Sequence, residues 1–114
     1  MSVSGIQNMR TQYIVIFVTT KDKEEAQKIS RGLLEAKLIA CANILEGVQS
    51  LFWWQGKIDA SAEVQLVLKT KKALFKKIEA KVKSLHSYQT PEIIALPMAH
   101  GSADYLKWIN SSCV

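Results

Sequence analysis

The stretch from Ala40 to Trp54 limits more than any other how this chain can fold, because it is apolar, extended in character and too long for the sheet of a small domain. At ~3.3 Å per residue it reaches about 50 Å if straight, whereas an ordinary strand is about five or six residues long. Its one interruption is Glu46-Gly47, and a glycine inside a strand pattern marks a bulge or a bend. Beyond a turn-like Gln55-Gly56-Lys57, the segment Glu63 to Thr70 alternates: Val64, Leu66 and Leu68 fall on one side, Glu63, Gln65, Val67 and Lys69 on the other. The two segments read as one long β-hairpin, which must bend at Gly47 or run past the domain. Near its tip Leu51-Phe52-Trp53-Trp54 send apolar side chains to both faces. Those aromatics either cap the core or lie in a subunit interface. Self-association is the expectation, since it buries both faces and protects strand edges.

The rest of the pattern fits around that hairpin. Tyr13 to Val18 is β-branched and aromatic and reads as a buried strand. Asp22 caps a helix running to about Lys37, with Glu25 at the capping-box offset and Ala26, Ile29, Leu33 and Ala36 as its apolar stripe. A second helix carries Leu74, Phe75, Ile78, Val82 and Leu85, and ends before Pro91. Glu92 to Met98 reads as a fourth strand, placed at an edge by Pro97, and a short helix starting at Ser102 or Asp104 carries Tyr105, Leu106, Trp108 and Ile109. The order β-α-β-β-α-β plus a terminal helix is that of an α+β, ferredoxin-like sandwich, both helices on one face of an antiparallel sheet. Residues 1–12 read as a flexible polar N-terminal tail and 13–114 as a single domain.

Composition narrows the function classes. With 114 residues, 48% hydrophobic and 22% charged, the chain can bury one core unaided. No apolar run approaches bilayer length and none of signal-peptide type precedes Tyr13, so a cytoplasmic protein without a membrane partner is expected. Cys41 and Cys113 form no CxxC pair and read as free thiols. The net charge of +5 invites nucleic acid. However, Lys71, Lys72, Lys76, Lys77, Lys81 and Lys83 crowd one helical segment whose other face is apolar, and only Arg10 and Arg31 accompany them. That pattern is a solvated face, and no nucleic-acid partner is expected.

Several motifs then fall into a known register. Cys41-Ala42-Asn43-Ile44, Trp53-Trp54-Gln55-Gly56-Lys57, Glu63-Val64-Gln65-Leu66, Leu68-Lys69-Thr70, His86-Ser87-Tyr88-Gln89-Thr90-Pro91-Glu92-Ile93 and Asp104-Tyr105-Leu106-Lys107-Trp108 follow one another as in the CutA divalent-cation-tolerance family. The chain resembles that family from about Tyr13 to its end. The resemblance implies a tight homotrimer with hairpin strands paired between neighbours, and an architecture similar to that of the nitrogen-regulatory PII proteins, which bind small molecules between subunits. It also implies a link to tolerance of copper and other divalent cations, and, in animal members, to acetylcholinesterase anchoring. The family's copper site uses a cysteine at the end of the first strand and two adjacent histidines. The matching positions here are Val18, Leu85 and His86, so His86 alone keeps a ligand type.

The candidate residues follow. His86 is the metal candidate. Cys41, Asn43, Glu63 and Lys69 lie on polar strand faces that a neighbouring subunit would turn into a cleft, and Trp54, Lys57, Tyr88, Glu92 and Trp108 match further family positions around its rim. Glu63, Lys57 and Glu92 serve equally well as interface ion pairs. Glu63 and Lys69 are six residues apart on one strand, roughly 20 Å, too far for an acid–base pair. Cys41 among Ala40, Ala42 and Ile44 reads as an inert thiol, and no glycine loop cradles phosphate. The sequence therefore points to a protein that is not an enzyme and requires no cofactor. It is expected to bind copper, another divalent cation or a small molecule at inter-subunit clefts, in a signalling or buffering role. The alternative is a trimeric scaffold that presents surfaces to a partner protein.

Overall fold

A computed structural model describes residues 12–114. Except for Gln12, the expected N-terminal tail lies outside the described residues. The elements run β1 (Tyr13–Thr20), α1 (Lys23–Glu35), β2 (Cys41–Trp54), β3 (Lys57–Lys71), a 3-10 turn (Lys72–Leu74), α2 (Phe75–Leu85), β4 (Ile93–Pro97) and α3 (Ala103–Ser112). The strands form one antiparallel sheet in the order β2-β3-β1-β4, the expected ferredoxin-like arrangement with β4 at an edge.

Alternation along the two central strands decides which face is covered. Ile16 and Val18 on β1 and Leu66 and Leu68 on β3 are fully buried under Ala26, Ile29 and Leu33 of α1 and Ile78 and Val82 of α2. The side chains between them, Val15, Phe17, Gln65, Val67 and Lys69, are only half-buried. Leu45, Ile94 and Leu96 share that second face through the register Phe17↔Ile94, Val15↔Leu96 and Leu45↔Gln65, and they are 45%, 51% and 51% exposed. The sheet thus has one apolar face inside and a second, partly apolar face open. Along α3, Ile109 joins the core and Leu106 packs against it, while Tyr105 and Trp108 stay exposed.

The hairpin runs past the domain rather than folding back at Gly47. β2 and β3 pair from Cys41↔Lys69 to Trp54↔Lys57, with a bulge between Leu45 and Val48 where Gly47 takes φ +80°. Its two-residue loop, Gln55-Gly56, has φ of 50° and 78°, the turn whose twist matches paired strands. The ribbon beyond the bulge makes the molecule 53 Å long against 29 and 23 Å in the other directions, and its outer half leaves Leu51, Trp53, Trp54 and Ile58 more than half exposed.

Helix ends account for two departures from the sequence reading. α1 stops at Glu35 instead of continuing to Lys37, because Lys37 itself adopts φ 57° and closes the end with Lys37 N–H donating to Leu34 and Leu38 N–H to Leu33. Asp22 caps the start by accepting from Glu25 N–H at 2.8 Å, as expected. The Glu25 carboxylate, however, reaches back past the cap to Lys21 N–H at 3.1 Å. A left-handed lysine is strained by about 1 kcal/mol or more, which glycine escapes while losing more chain entropy. Lys37→Gly is therefore expected to raise stability by about 0.5–1 kcal/mol in urea unfolding, and an unchanged or lower midpoint would refute the strain.

Candidate functional site

The polar groups gather where β1 ends and β3 continues. Thr20 is the last residue of β1 and pairs with Val64, so Glu63 lies one step beyond the cover that β1 provides. Buried Thr20 donates its hydroxyl to Val64 C=O at 3.0 Å and fixes that junction. The segment after α2 then crosses it. Tyr88 donates its hydroxyl to Glu63 Oε2 at 2.8 Å, and Ser87 N–H donates to Glu25 Oε2 at 2.7 Å. His86 lies between them with no exposed side-chain surface.

The ring of His86 has both nitrogens committed. Nε2 donates to Thr19 C=O at 2.7 Å, and Nδ1 accepts from Tyr88 N–H at 3.0 Å, so a neutral ring carries its proton on Nε2. A metal at His86 would have to take one of these positions. Glu25 Oε1 stands 3.9 Å from Nδ1. Among the described residues, no group of three or more His, Cys, Asp and Glu side chains is arranged to hold a metal ion.

Two ionisable groups in this network are shifted. Burial alone would raise the Glu25 pKa, but hydrogen bonds from Ser87 and Lys21, with a smaller contribution from nearby His86, outweigh it and hold the carboxyl below its ordinary value. For Tyr88, burial first, then the hydrogen bond to Glu63 and the charges of Glu63 and Glu25, push the phenol up to about 12. Tyr88 therefore stays a donor, and Glu63 stays oriented, across the neutral range.

A groove opens beside Glu63 at the β2 bulge. Its volume is about 270 Å³, and its walls include Lys21, Glu46, Gly47, Val48, Glu63 and Val64. Glu46 is ion-paired with Lys23 at 3.9 Å. Glu63 is 9% exposed and, among the described residues, has no cation within ion-pair distance.

The expected candidates divide among separate places. Cys41, Asn43 and Lys69 do meet, on the open sheet face: Asn43 Oδ1 accepts from Lys69 Nζ and lies 3.8 Å from Cys41 Sγ. Tyr105 of α3 stands beside Cys41, where burial and then the sulfur raise its pKa, and its ring lies 5.5 Å from that of Trp108. Glu63 and Tyr88 form the second group, with His86 against the Tyr88 ring at 4.8 Å. Trp54 and Lys57 face each other at the hairpin tip, far along the ribbon from both. Glu92 is exposed just before β4 and joins neither group. The sequence reading missed Glu25, Lys21 and Tyr105. Only the capping-box offset hinted at Glu25, and nothing local marks the long-range bond to Ser87.

Comparison with known proteins agrees with this architecture. Residues 14–112 match the family described as CutA1 divalent ion tolerance protein. The divalent-cation tolerance protein CutA of Escherichia coli is 40% identical over 106 residues, covering 93% of this chain and 95% of that protein. The chloroplastic CutA 1 protein of Oryza sativa is 39% identical over 99 residues, 87% of this chain, which spans only 56% of the rice protein's length. The solved structure of the divalent cation tolerance protein from Thermus thermophilus superposes with a TM-score of 0.88 at 38% identity, covering 90% of this chain and 99% of that one.

Two measurements check the network. Tyr88→Phe removes the one side-chain donor to the Glu63 carboxylate among the described residues and is expected to cost about 1.5–3 kcal/mol, as for hydrogen bonds to charged groups; a cost near zero would show the bond to be unimportant. Glu25 has a depressed folded pKa, so its stabilisation is complete above the ordinary value of 4.5 and is lost as pH falls through the lower folded value. Glu25→Gln should accordingly be less stable than the native protein at neutral pH, with the gap narrowing as pH drops below 4.5; a gap constant with pH would exclude the ionised pairing.

Proposed function

The chain belongs to the CutA1 divalent ion tolerance family, and on that premise we propose that it works as a non-catalytic homotrimer binding a divalent cation such as copper, or another small ligand, at clefts between its subunits. The observation that carries this reading is the apolar surface left open. Leu45, Ile94 and Leu96 on the uncovered sheet face join a ribbon whose Leu51, Phe52, Trp53, Trp54 and Ile58 are all exposed in the single chain. Burying each such side chain is worth roughly 1.5–3 kcal/mol, and monomers rarely leave so many in one region. Further copies of the chain, related by a closed symmetry, cover the face and the β2 and β4 edges together.

Binding rather than turnover is supported by the chemistry present. His86 is locked between two backbone groups, and Cys41 lies on the open face bonded to Asn43, so the two are not joined as nucleophile and base. The groups brought together around Glu63 and around Lys69 are instead held in fixed orientations, as recognition requires. A buffering or PII-like signalling role in the cytoplasm, without membrane or nucleic acid, is the physiological form of this reading. Among the described residues no helix is long and apolar enough to cross a membrane.

A second reading, a trimeric scaffold for a partner protein, is favoured by one observation. On α2, Lys76 and Lys83 pair with Glu79, while Lys77 and Lys81, with Lys72 of the preceding 3-10 turn, remain exposed and without an acidic partner among the described residues.

Native mass spectrometry with copper(II) and zinc(II) separates these readings. The native protein is expected at three times 12.8 kDa and to take up metal in equivalent sites, and Ile94→Lys with Leu96→Lys is expected to shift it to monomer. A trimer without uptake would favour the scaffold. A native monomer at micromolar concentration would overturn both.

A further inference from the structure

We propose that the groove at the root of the hairpin binds a small zwitterion of the α-amino-acid class, its ammonium group on Glu63 and its carboxylate on Lys21. This rests on the reading of Glu63 as a ligand-facing group and names the ligand it faces. Glu63 is the acceptor with capacity left: the residue is only 9% exposed, and Tyr88 is the one side chain that donates to it among the described residues. The Tyr88 bond occupies Oε2, leaving Oε1 without a hydrogen-bond or ion-pair partner among the described residues. Oε1 is therefore free to accept from a cationic donor.

The other charges nearby restrict what that donor can be attached to. Glu46 on the opposite wall already has Lys23. Lys21 lines the same groove and forms no ion pair among the described residues, with Glu63 or any other carboxylate. A residue with an unpaired carboxylate and one with an unpaired ammonium therefore line one groove, which a molecule carrying both opposite charges satisfies and a plain amine or acid half satisfies. The bulge sets the size. With about 270 Å³ available, the groove lies at the small end of ligand sites and suits a handful of heavy atoms. Val48 and Val64 supply apolar wall for an aliphatic side chain. Tyr88 fixes the carboxylate beforehand, so little ordering remains to be done on binding.

The test is calorimetric titration of the full chain with L-valine, with isobutylamine (its ammonium half) and with isovalerate (its carboxylate half), oligomeric state being followed in parallel by native mass spectrometry. L-Valine should bind at least about tenfold more tightly than either half. Glu63→Gln keeps an oxygen acceptor for Tyr88 and so should fold, yet weaken L-valine by about tenfold while leaving isovalerate unchanged. Lys21→Ala, at an exposed position, should weaken L-valine and leave isobutylamine unchanged. If isobutylamine binds as well as L-valine, or binds more tightly to Lys21→Ala, then Lys21 is itself the counter-ion of Glu63 and the inference fails. It fails also if L-valine shows no heat at about 10 mM. A trimer that takes up metal but no L-valine overturns the zwitterion alone. A monomer that still discriminates L-valine through Glu63 and Lys21 upholds the groove and removes the trimer.

Discussion

Everything distinctive about this molecule follows from a mismatch of lengths. Helices α1 and α2 have 13 and 11 residues, about 20 and 17 Å at ~1.5 Å per residue. The strands β2 and β3 have 14 and 15 residues and extend two to three times as far. Two such helices can roof only the root of the hairpin, and only on one face. Inside that roof the core is conventional, with Ile16, Leu66, Leu68, Ile29 and Ile78 fully buried. Outside it the chain exposes indole and aliphatic surface that the other described residues do not cover.

The boundary of the roof is also where the polar network lies, and for a physical reason. β1 ends at Thr20 while β3 continues, so beyond Val64 the sheet loses its neighbour on that side. Side chains and a crossing loop take over the work of the missing strand. Thr20 bonds the Val64 carbonyl, Tyr88 reaches Glu63, and Glu25 ties Lys21 and Ser87 together. At the other end of β1 and β3 a similar device appears in Thr70, fully buried, whose hydroxyl donates to Leu38 C=O at 2.6 Å. Ser30 Oγ is the one buried side-chain polar atom without a partner among the described residues, so the boundary is built to be satisfied as well as polar.

This division explains what could be read from the sequence. Element order, the hairpin, the bulge at Gly47 and the Asp22 cap were legible because each depends on neighbours in the chain: alternation for the strands, three- and four-residue spacing for the helices, a single oxygen for the cap. The meeting of Cys41, Asn43 and Lys69 was half legible, since Cys41 and Asn43 share a strand face and only the pairing register adds Lys69. Glu25 was read as a local capping residue because its sequence neighbourhood allows that role; its bond to Ser87 spans 62 positions and leaves no local mark. His86 looked available for metal for the same reason. Its burial is imposed by Thr19 and Tyr88, one of them 67 positions away. Grouping Glu63 with Lys69 by strand parity was sound as geometry, yet their partners, Tyr88 and Asn43, assign them to different sites.

The locked state of His86 bears on how the Glu63 groove works. A neutral ring that donates to Thr19 and accepts from Tyr88 N–H fastens the loop to β1 at one point and braces it on itself at the other, and the Tyr88 side chain, two residues on, then extends to Glu63. Protonating Nδ1 would set a donor against the Tyr88 N–H at 3.0 Å, with Glu25 as the only carboxylate among the described residues close enough to receive it. The orientation of the Glu63 carboxylate thus depends on a histidine that keeps one tautomer. Such a site is made stiff: the loop is held on Thr19, and through Tyr88 the Glu63 carboxylate is held in one orientation.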